Sequence, residues 1–296
     1  MSRIYAITAT AISTLSILFG CSGKSNHELA LQLLQQADTA VATANYNYAL
    51  EILDTLKAKY PEEIDIQRTA INIRPRAIEG ISIRQIEQTD SLQALYSHHT
   101  DSLMAYFTTH HNKELGHDYD YYIIKQLDNS DIFGKTGIQG RVSPSGEFSI
   151  ISSLTAKPVR HTQISISAPN GQTVESAKIT YDGERNYRSS GTETITFIAA
   201  ECDTIGSYLS SAPDSQLKLS FIGDKTYTMP LSKIERRSVE LAWQLAYCIN
   251  KKKQVGTATP ALRTPAGIGT RPNCKNYLRL ICSCQSELPT SKAYCH

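Results

Sequence analysis

The chain has 296 residues and a formal net charge of +2, which is enough length for one or two domains with buried cores. The charge is uneven: the segment from Lys251 onward holds eight basic residues and one acidic residue, whereas the rest without Arg3 holds 21 basic and 27 acidic residues, a net charge of −6. A mildly acidic body without a basic patch argues against nucleic acid as a partner.

The first twenty residues have the three-part layout of a secretion signal. Arg3 supplies the positive charge, an apolar run extends from Ile4 to Phe19, and the small residue Gly20 precedes Cys21. The run has 16 residues and is diluted by Thr and Ser, whereas a membrane-spanning helix needs about 20 predominantly apolar residues. We therefore predict that residues 1–20 are a removable signal peptide.

The residues around the predicted cleavage point resemble the lipobox of bacterial lipoproteins. Leu18, Gly20 and Cys21 occupy the matching places, and Phe19 is larger than the residue usual at its position. The resemblance implies that Leu18, Phe19 and Gly20 are recognised by the lipoprotein signal peptidase and that Cys21 carries the lipid. Each buried methylene contributes about 0.8 kcal/mol, so two or more acyl chains give a stable membrane anchor. The alternative is an ordinary cleaved signal with a cysteine nearby by chance.

A short polar tether, residues 21–26, is expected to follow the lipid. It lacks the acidic cluster that accompanies surface export in lipoproteins of the Bacteroidetes type. This favours an outer-membrane location facing the periplasm.

Residues 27–115 are predicted to be helical. Two amphipathic helices are expected between His27 and Tyr60, separated at Asn45-Tyr46-Asn47 and ended by Pro61. The positions of five residues resemble those of one tetratricopeptide hairpin: Ala37, Tyr46, Ala49, Leu53 and Pro61. The alternative is a generic helical hairpin.

A long helix or two should follow, from Glu62 to Leu115. Isoleucines recur every seven residues at Ile64, Ile71 and Ile78. The segment is expected to be a coiled-coil-like stalk or an antiparallel partner for the first hairpin. Arg74-Pro75 predicts a kink or break, because proline lacks an amide donor and clashes with the preceding turn.

Residues 116–229 are predicted to form an antiparallel β domain, because apolar and polar residues alternate between turn signals. A closing helix is expected over 230–250, with Ser232 as its N-cap and Glu235 three residues on. Residues 251–296 lose this periodicity and are predicted to be a disordered basic tail. The expected strands are 117–124, 138–142, 147–151, 163–167, 174–181, 193–198 and 218–222.

Few residues suggest a site. Cys202 and Cys248 are candidates for a disulfide, because an exported protein meets an oxidising compartment; two free thiols are the alternative. Tyr119, Tyr121 and Tyr122 are candidates for a ligand platform, with core packing of at least one side as the alternative.

We expect no catalytic residue, metal or cofactor. The paired histidines of the helical region lack a metal-site motif, no G-x-S-x-G nucleophile motif is present, and His161 beside Arg160 is interpreted as a surface pair.

The sequence thus predicts an α+β protein: a helical hairpin and long helix, an antiparallel β domain and a closing helix. This layout resembles envelope lipoproteins of Bacteroidetes, a resemblance that implies no activity. The first hypothesis is a non-enzymatic scaffold that reaches an envelope protein partner through its helical region. The second is a glycan- or ligand-binding β domain, and the third is an enzyme with dispersed catalytic residues.

Overall fold

A computed structural model of the chain describes residues 25–111, 120–128, 132–155, 157–189, 191–213 and 215–263. The chain divides into two compact units, one ending at Ile81 and the other beginning at Ser82. The structure has the predicted α+β class, with helices first, then antiparallel sheets and a C-terminal helix. The predicted signal peptide, the cysteine-rich tail from residue 264, and the candidate site residues Leu18, Phe19, Gly20, Cys21 and Tyr119 lie outside the described residues.

The first unit contains helices α1 (Asn26–Ala42) and α2 (Tyr46–Lys59) and the beginning of α3 (Ile64–Met104). Ser25 caps α1 in a capping box with Glu28. Small buried residues let the helices approach closely, while leucines and isoleucines fill the space between them. The core residues include Ala30, Leu34, Ala37, Ala49, Ile52, Leu53, Leu56, Ile66, Ala70, Ile73 and Ala77.

A kink or break is predicted at Arg74-Pro75; helix α3 continues through Pro75, so a break does not occur there. Salt bridges flank the proline: Arg74 contacts Asp54 of α2 at 2.6 Å, and Arg76 contacts Asp38 of α1 at 2.9 Å. Together with the buried Ile73 and Ala77, these contacts hold the segment helical despite the missing amide.

The second unit contains two antiparallel sheets. Helix α3 ends at Met104, eleven residues before the predicted end, and a strand follows almost at once. The six-stranded sheet has the order β1 (Phe107–His110), β2 (Tyr121–Ile124), β3 (Gly137–Val142), β4 (Phe148–Thr155), β8 (Thr192–Ile198) and β7 (Asn186–Ser189). The four-stranded sheet has the order β10 (Thr226–Pro230), β9 (Lys218–Ile222), β5 (Gln163–Ser167) and β6 (Thr173–Glu175).

Helix α4 (Asp203–Ser211) and helix α5 (Lys233–Arg263) complete this unit. Helix α5 lies against β3, where Gly140 donates its amide proton to the hydroxyl of Ser238 at 2.8 Å. Ser232 and Glu235 form the predicted cap contacts. The predicted end at Asn250 is wrong, because α5 continues to Arg263; Val255 is buried against Tyr96 and Cys248, which stabilises the added turns.

One core joins the inner faces of both sheets with α5. It contains Ile138, Val142, Phe148, Ile150, Leu154, Ile164, Ile166, Ile195, Phe197, Leu219, Phe221, Val239, Ala242 and Leu245. Within the described part of the chain, no helix combines the length and apolar character that crossing a membrane requires.

Candidate functional site

A hydrogen-bonded serine, histidine and glutamate lie inside the second unit. Ser152 of β4 contacts Nε2 of His161 at 3.0 Å, and Nδ1 of His161 contacts Glu193 of β8 at 3.0 Å. His161 precedes β5 and is 0% exposed, so its interpretation as a surface pair with Arg160 is wrong. The cluster connects the two sheets, because Ser152 and Glu193 belong to one and His161 leads into the other.

The backbone beside His161 directs its amide groups at the carboxylate of Glu193. Arg160 has a φ of +55°, the left-handed region that non-glycine residues rarely adopt. The amides of Val159, Arg160 and His161 all donate to the Glu193 carboxylate, at 3.3, 2.6 and 3.0 Å. Converging amides of this kind stabilise a buried negative charge.

The titration of the pair follows from this environment. Burial lowers the pKa of His161, an effect that its contact with Glu193 opposes and that Arg188 reinforces. Burial acts to raise the pKa of Glu193, but hydrogen bonds from His161 and from the backbone outweigh it and lower the pKa. Both groups therefore resist protonation in the folded protein.

The connectivity is that of a nucleophile, a general base and an orienting acid. A substrate cannot reach the cluster from solvent. Ser152, His161 and Glu193 are 0%, 0% and 2% exposed, and the ring of Phe221 packs edge-on against His161 at 5.2 Å. A nucleophile needs room for a substrate carbonyl beside it. We interpret the cluster as a structural bridge between the sheets.

Tyr121 and Tyr122 of the predicted ligand platform contact other residues of the protein. Tyr121 and Tyr122 are neighbours on β2, and Tyr122 packs against the main core, as the alternative of core packing on one side expects. The ring of Tyr121 stacks on His110 of β1 at 5.2 Å, and the guanidinium of Arg141 lies 4.1 Å from its centroid. Because β1 and β3 are on opposite sides of β2, these contacts cover the ring that a ligand would need.

The predicted disulfide between Cys202 and Cys248 is wrong, because both thiols are free and buried. The Cys202 thiol donates to the carbonyl of Phe197 at 3.5 Å, and Cys248 packs with Tyr96 and Val255. Burial raises the pKa of both thiols, that of Cys248 to about 11, so neither is a reactive thiolate at neutral pH.

The histidines near the end of α3 form local pairs. His110 contacts Asp128 at 2.6 Å, and His111 contacts Asp120 at 2.9 Å. Among the residues that the structure describes, no three His, Cys, Asp or Glu side chains gather as metal ligands would.

An open groove of about 490 Å³ lies between α5, the turn from β3 to β4 and the start of α4. Trp243 and Tyr247 of α5 line it with ring centroids 5.4 Å apart, and Nζ of Lys251 lies 5.2 Å from the Tyr247 centroid. Its polar lining includes Glu147, Asp203, Asn250 and Gln254.

This groove was missed from the sequence, although one signal was available. Trp243, Tyr247 and Lys251 are spaced four residues apart, so they share one face of a helix. The apolar stripe of the predicted closing helix does not include them; it consists of Leu231, Ile234, Val239, Ala242, Leu245, Ala246 and Ile249. An aromatic pair beside that stripe indicates a second surface, but the opposing turn and α4 come from distant parts of the chain.

Comparison with known proteins finds no match: no protein-family model, no curated protein and no solved structure matches this chain.

Proposed function

We propose that this protein is a lipid-anchored component of the bacterial cell envelope whose folded part is a non-enzymatic interaction scaffold. The observation that carries the scaffold role is an exposed apolar series on α3. Ile64 is 66% exposed and Ile71 is 68% exposed, whereas Ile66 and Ile73 of the same helix are buried.

The exposed isoleucines belong to the seven-residue series noted in the sequence. Ile64, Ile71 and Ile78 fall on one helix face, and the buried Ile66, Ala70, Ile73 and Ala77 form another. A seven-residue apolar repeat is the pattern with which one helix packs against a second. Burying each of two exposed isoleucines contributes up to about 1.5–3 kcal/mol. We propose an amphipathic helix of another envelope protein as the occupant.

The anchor would hold this face close to the membrane. Ser25, the N-cap of α1, follows Cys21 by four residues. An extended chain spans at most about 3.6 Å per residue, so four residues reach about 14 Å. An outer-membrane position facing the periplasm remains part of the proposal, since the tether lacks an acidic cluster.

Crosslinking in native membranes tests the scaffold role. The full chain should capture a defined envelope protein, and the double change Ile64→Lys and Ile71→Lys should reduce that capture at least tenfold by placing two charges in the apolar contact. Ile83→Lys is the matched control, because Ile83 belongs to the same helix and is 50% exposed but lies outside the seven-residue series. Equal capture by the double variant and the control would refute the proposed face, and capture of only a second copy would refute a heterologous partner.

A further inference from the structure

The exposed isoleucines of α3 border a surface that this helix forms together with α2. Arg74 contacts Asp54 of α2 at 2.6 Å. Nε2 of Gln67 donates to the carbonyl of Leu56 at 3.1 Å and to the carbonyl of Tyr60 at 2.8 Å. The flank of α3 that carries Gln67 and Arg74 therefore faces α2.

The isoleucine series lies one step outward from that flank. Ile64 and Ile71 each precede by three positions a residue that contacts α2, and residues three apart are about 60° apart around a helix. Ile78 follows Arg74 by four positions, which places it about 40° away. On the α2 side lies Leu50, which is half-buried and packs against the core of the first unit. We call the surface between this leucine and the isoleucine series the α2–α3 face.

Most charged residues of the α2–α3 face are cations. Arg68 lies between the two exposed isoleucines, because it follows the first by four positions and precedes the second by three; its side chain is 75% exposed. Lys57 is exposed in the last turn of α2 and shares a flank with Asp54, three positions before it. With Arg74, the face carries the positive charges of Lys57, Arg68 and Arg74 and the negative charge of Asp54.

The neighbouring carboxylates of α3 do not offset these charges. Asp65 and Glu79 each directly follow an isoleucine of the series, which places them about 100° around the helix in the direction away from α2. The contact between Arg68 and Asp65 measures 3.4 Å, with both side chains largely exposed, and ion pairs of this kind are weak and screened by salt. Glu63 contacts His27 at 2.8 Å and so faces α1.

This combination of apolar and positively charged residues specifies a partner chemistry. A helix docks in a groove through apolar anchors spaced by one or two turns, and complementary charge beside the anchors favours the correct partner and its rapid association. We infer that the α2–α3 face binds an amphipathic helix whose apolar stripe is flanked by Asp and Glu side chains. This inference rests on the proposed function, since it gives the charge of the partner helix proposed there.

Two synthetic peptides test the charge preference. Both contain about three heptads with leucine at the a and d positions; the flanking e and g positions hold glutamate in one peptide and lysine in the other. Fluorescence anisotropy of the labelled peptides measures their binding to the full chain in a neutral detergent. The acidic peptide should bind at least tenfold more tightly, and its advantage should decrease as salt is raised from about 50 to about 500 mM.

Variants separate the α2–α3 face from other basic surfaces, including the basic C-terminal segment. The double change Lys57→Glu and Arg68→Glu should weaken binding of the acidic peptide at least fivefold by bringing like charges together. The matched control is Lys59→Glu with Lys178→Glu, which changes the net charge equally. Lys59 is exposed in the same turn of α2 but points about 200° away from Lys57, and Lys178 is exposed in the second unit, so this control should bind as the wild type does.

The outcomes distinguish this inference from the proposed function. Equal binding of the two peptides, no binding of either, or equal losses in the two double variants would overturn the inference. Capture of an envelope protein from native membranes without this charge preference would leave the proposed function standing and overturn the inference alone. A charge preference without any captured protein would support the inference and count against the proposed function.

Discussion

At the scale of single residues, two neighbouring serines on β4 differ in whether their hydroxyl is hydrogen-bonded. Both are 0% exposed, but the Ser152 hydroxyl contacts His161, whereas the Ser153 hydroxyl has no hydrogen-bond partner among the described residues. Leaving a buried polar atom without its partner costs about 1–3 kcal/mol.

Ser152→Ala should therefore lower the free energy of unfolding by about 1–3 kcal/mol, because Nε2 of His161 loses its partner. Ser153→Ala removes the same atoms from the same strand and should leave stability unchanged or slightly increased. Urea denaturation followed by circular dichroism measures both. Similar losses in the two variants would show that the cluster contributes nothing specific.

Residue patterns predicted some positions well and others not at all. The strands Gln163–Ser167 and Lys218–Ile222 agree with the predicted ranges, because their alternation directly reflects one buried face. The burial of His161 was missed, because no local signal shows that Glu193, distant in sequence, will supply a buried charge. The predicted disulfide between Cys202 and Cys248 was wrong for the same reason, because the burial and position of a cysteine depend on tertiary structure.

At the scale of elements, the contact between α5 and β3 depends on a glycine. A Cβ at Gly140 would lie 2.6 Å from the carbonyl oxygen of Ser238 and 2.7 Å from Cα of Val239. Both are backbone atoms of α5, so the helix would have to move away from the sheet.

Gly140→Ala should destabilise the second unit by about 1–3 kcal/mol, the usual cost of overpacking. Gly134→Ala is the matched control, because nothing lies within 4 Å of its added Cβ. Thermal unfolding of the two variants gives the comparison. An unchanged midpoint for Gly140→Ala would mean that α5 packs less closely than the structure has it.

Short edge elements were the hardest to predict. Strand β7 (Asn186–Ser189) has a polar sequence without apolar alternation. Strand β10 (Thr226–Pro230) alternates Tyr227 and Met229 with threonines but is short and ends in proline; both strands are held by pairing with a neighbouring strand. Helix α3 shows the opposite case, in which a local breaking signal at Pro75 is overcome by the burial of Ile73 and Ala77, with salt bridges of Arg74 and Arg76 beside them.

At the scale of the whole molecule, stability should decrease in acid. The pKa of His161 is lowered from its usual 6.5, so below about pH 6.5 the unfolded chain binds a proton that the folded protein does not. The pKa of Glu193 is lowered from its usual 4.5, which adds a second loss below about pH 4.5. Both contributions are complete above pH 6.5 and are lost as the pH falls.

The free energy of unfolding, measured from pH 8 to pH 4, should therefore be level at first and then fall below about pH 6.5. His161→Gln should be less stable at pH 7 but should show a smaller decrease between pH 7 and pH 5, because the titrating group is gone. Parallel curves for the variant and the wild type would exclude His161 as the source.

The most direct measurement addresses the anchor, on which the proposed envelope role depends. Cells expressing the full chain are labelled with a palmitate analogue and their membranes are compared with those of a Cys21→Ser variant. The wild type should be labelled, shortened by its signal peptide and recovered with the outer membrane, and the variant should remain an unlabelled precursor. A Cys21→Ser protein that is processed normally, or a wild type without lipid, would contradict the proposal.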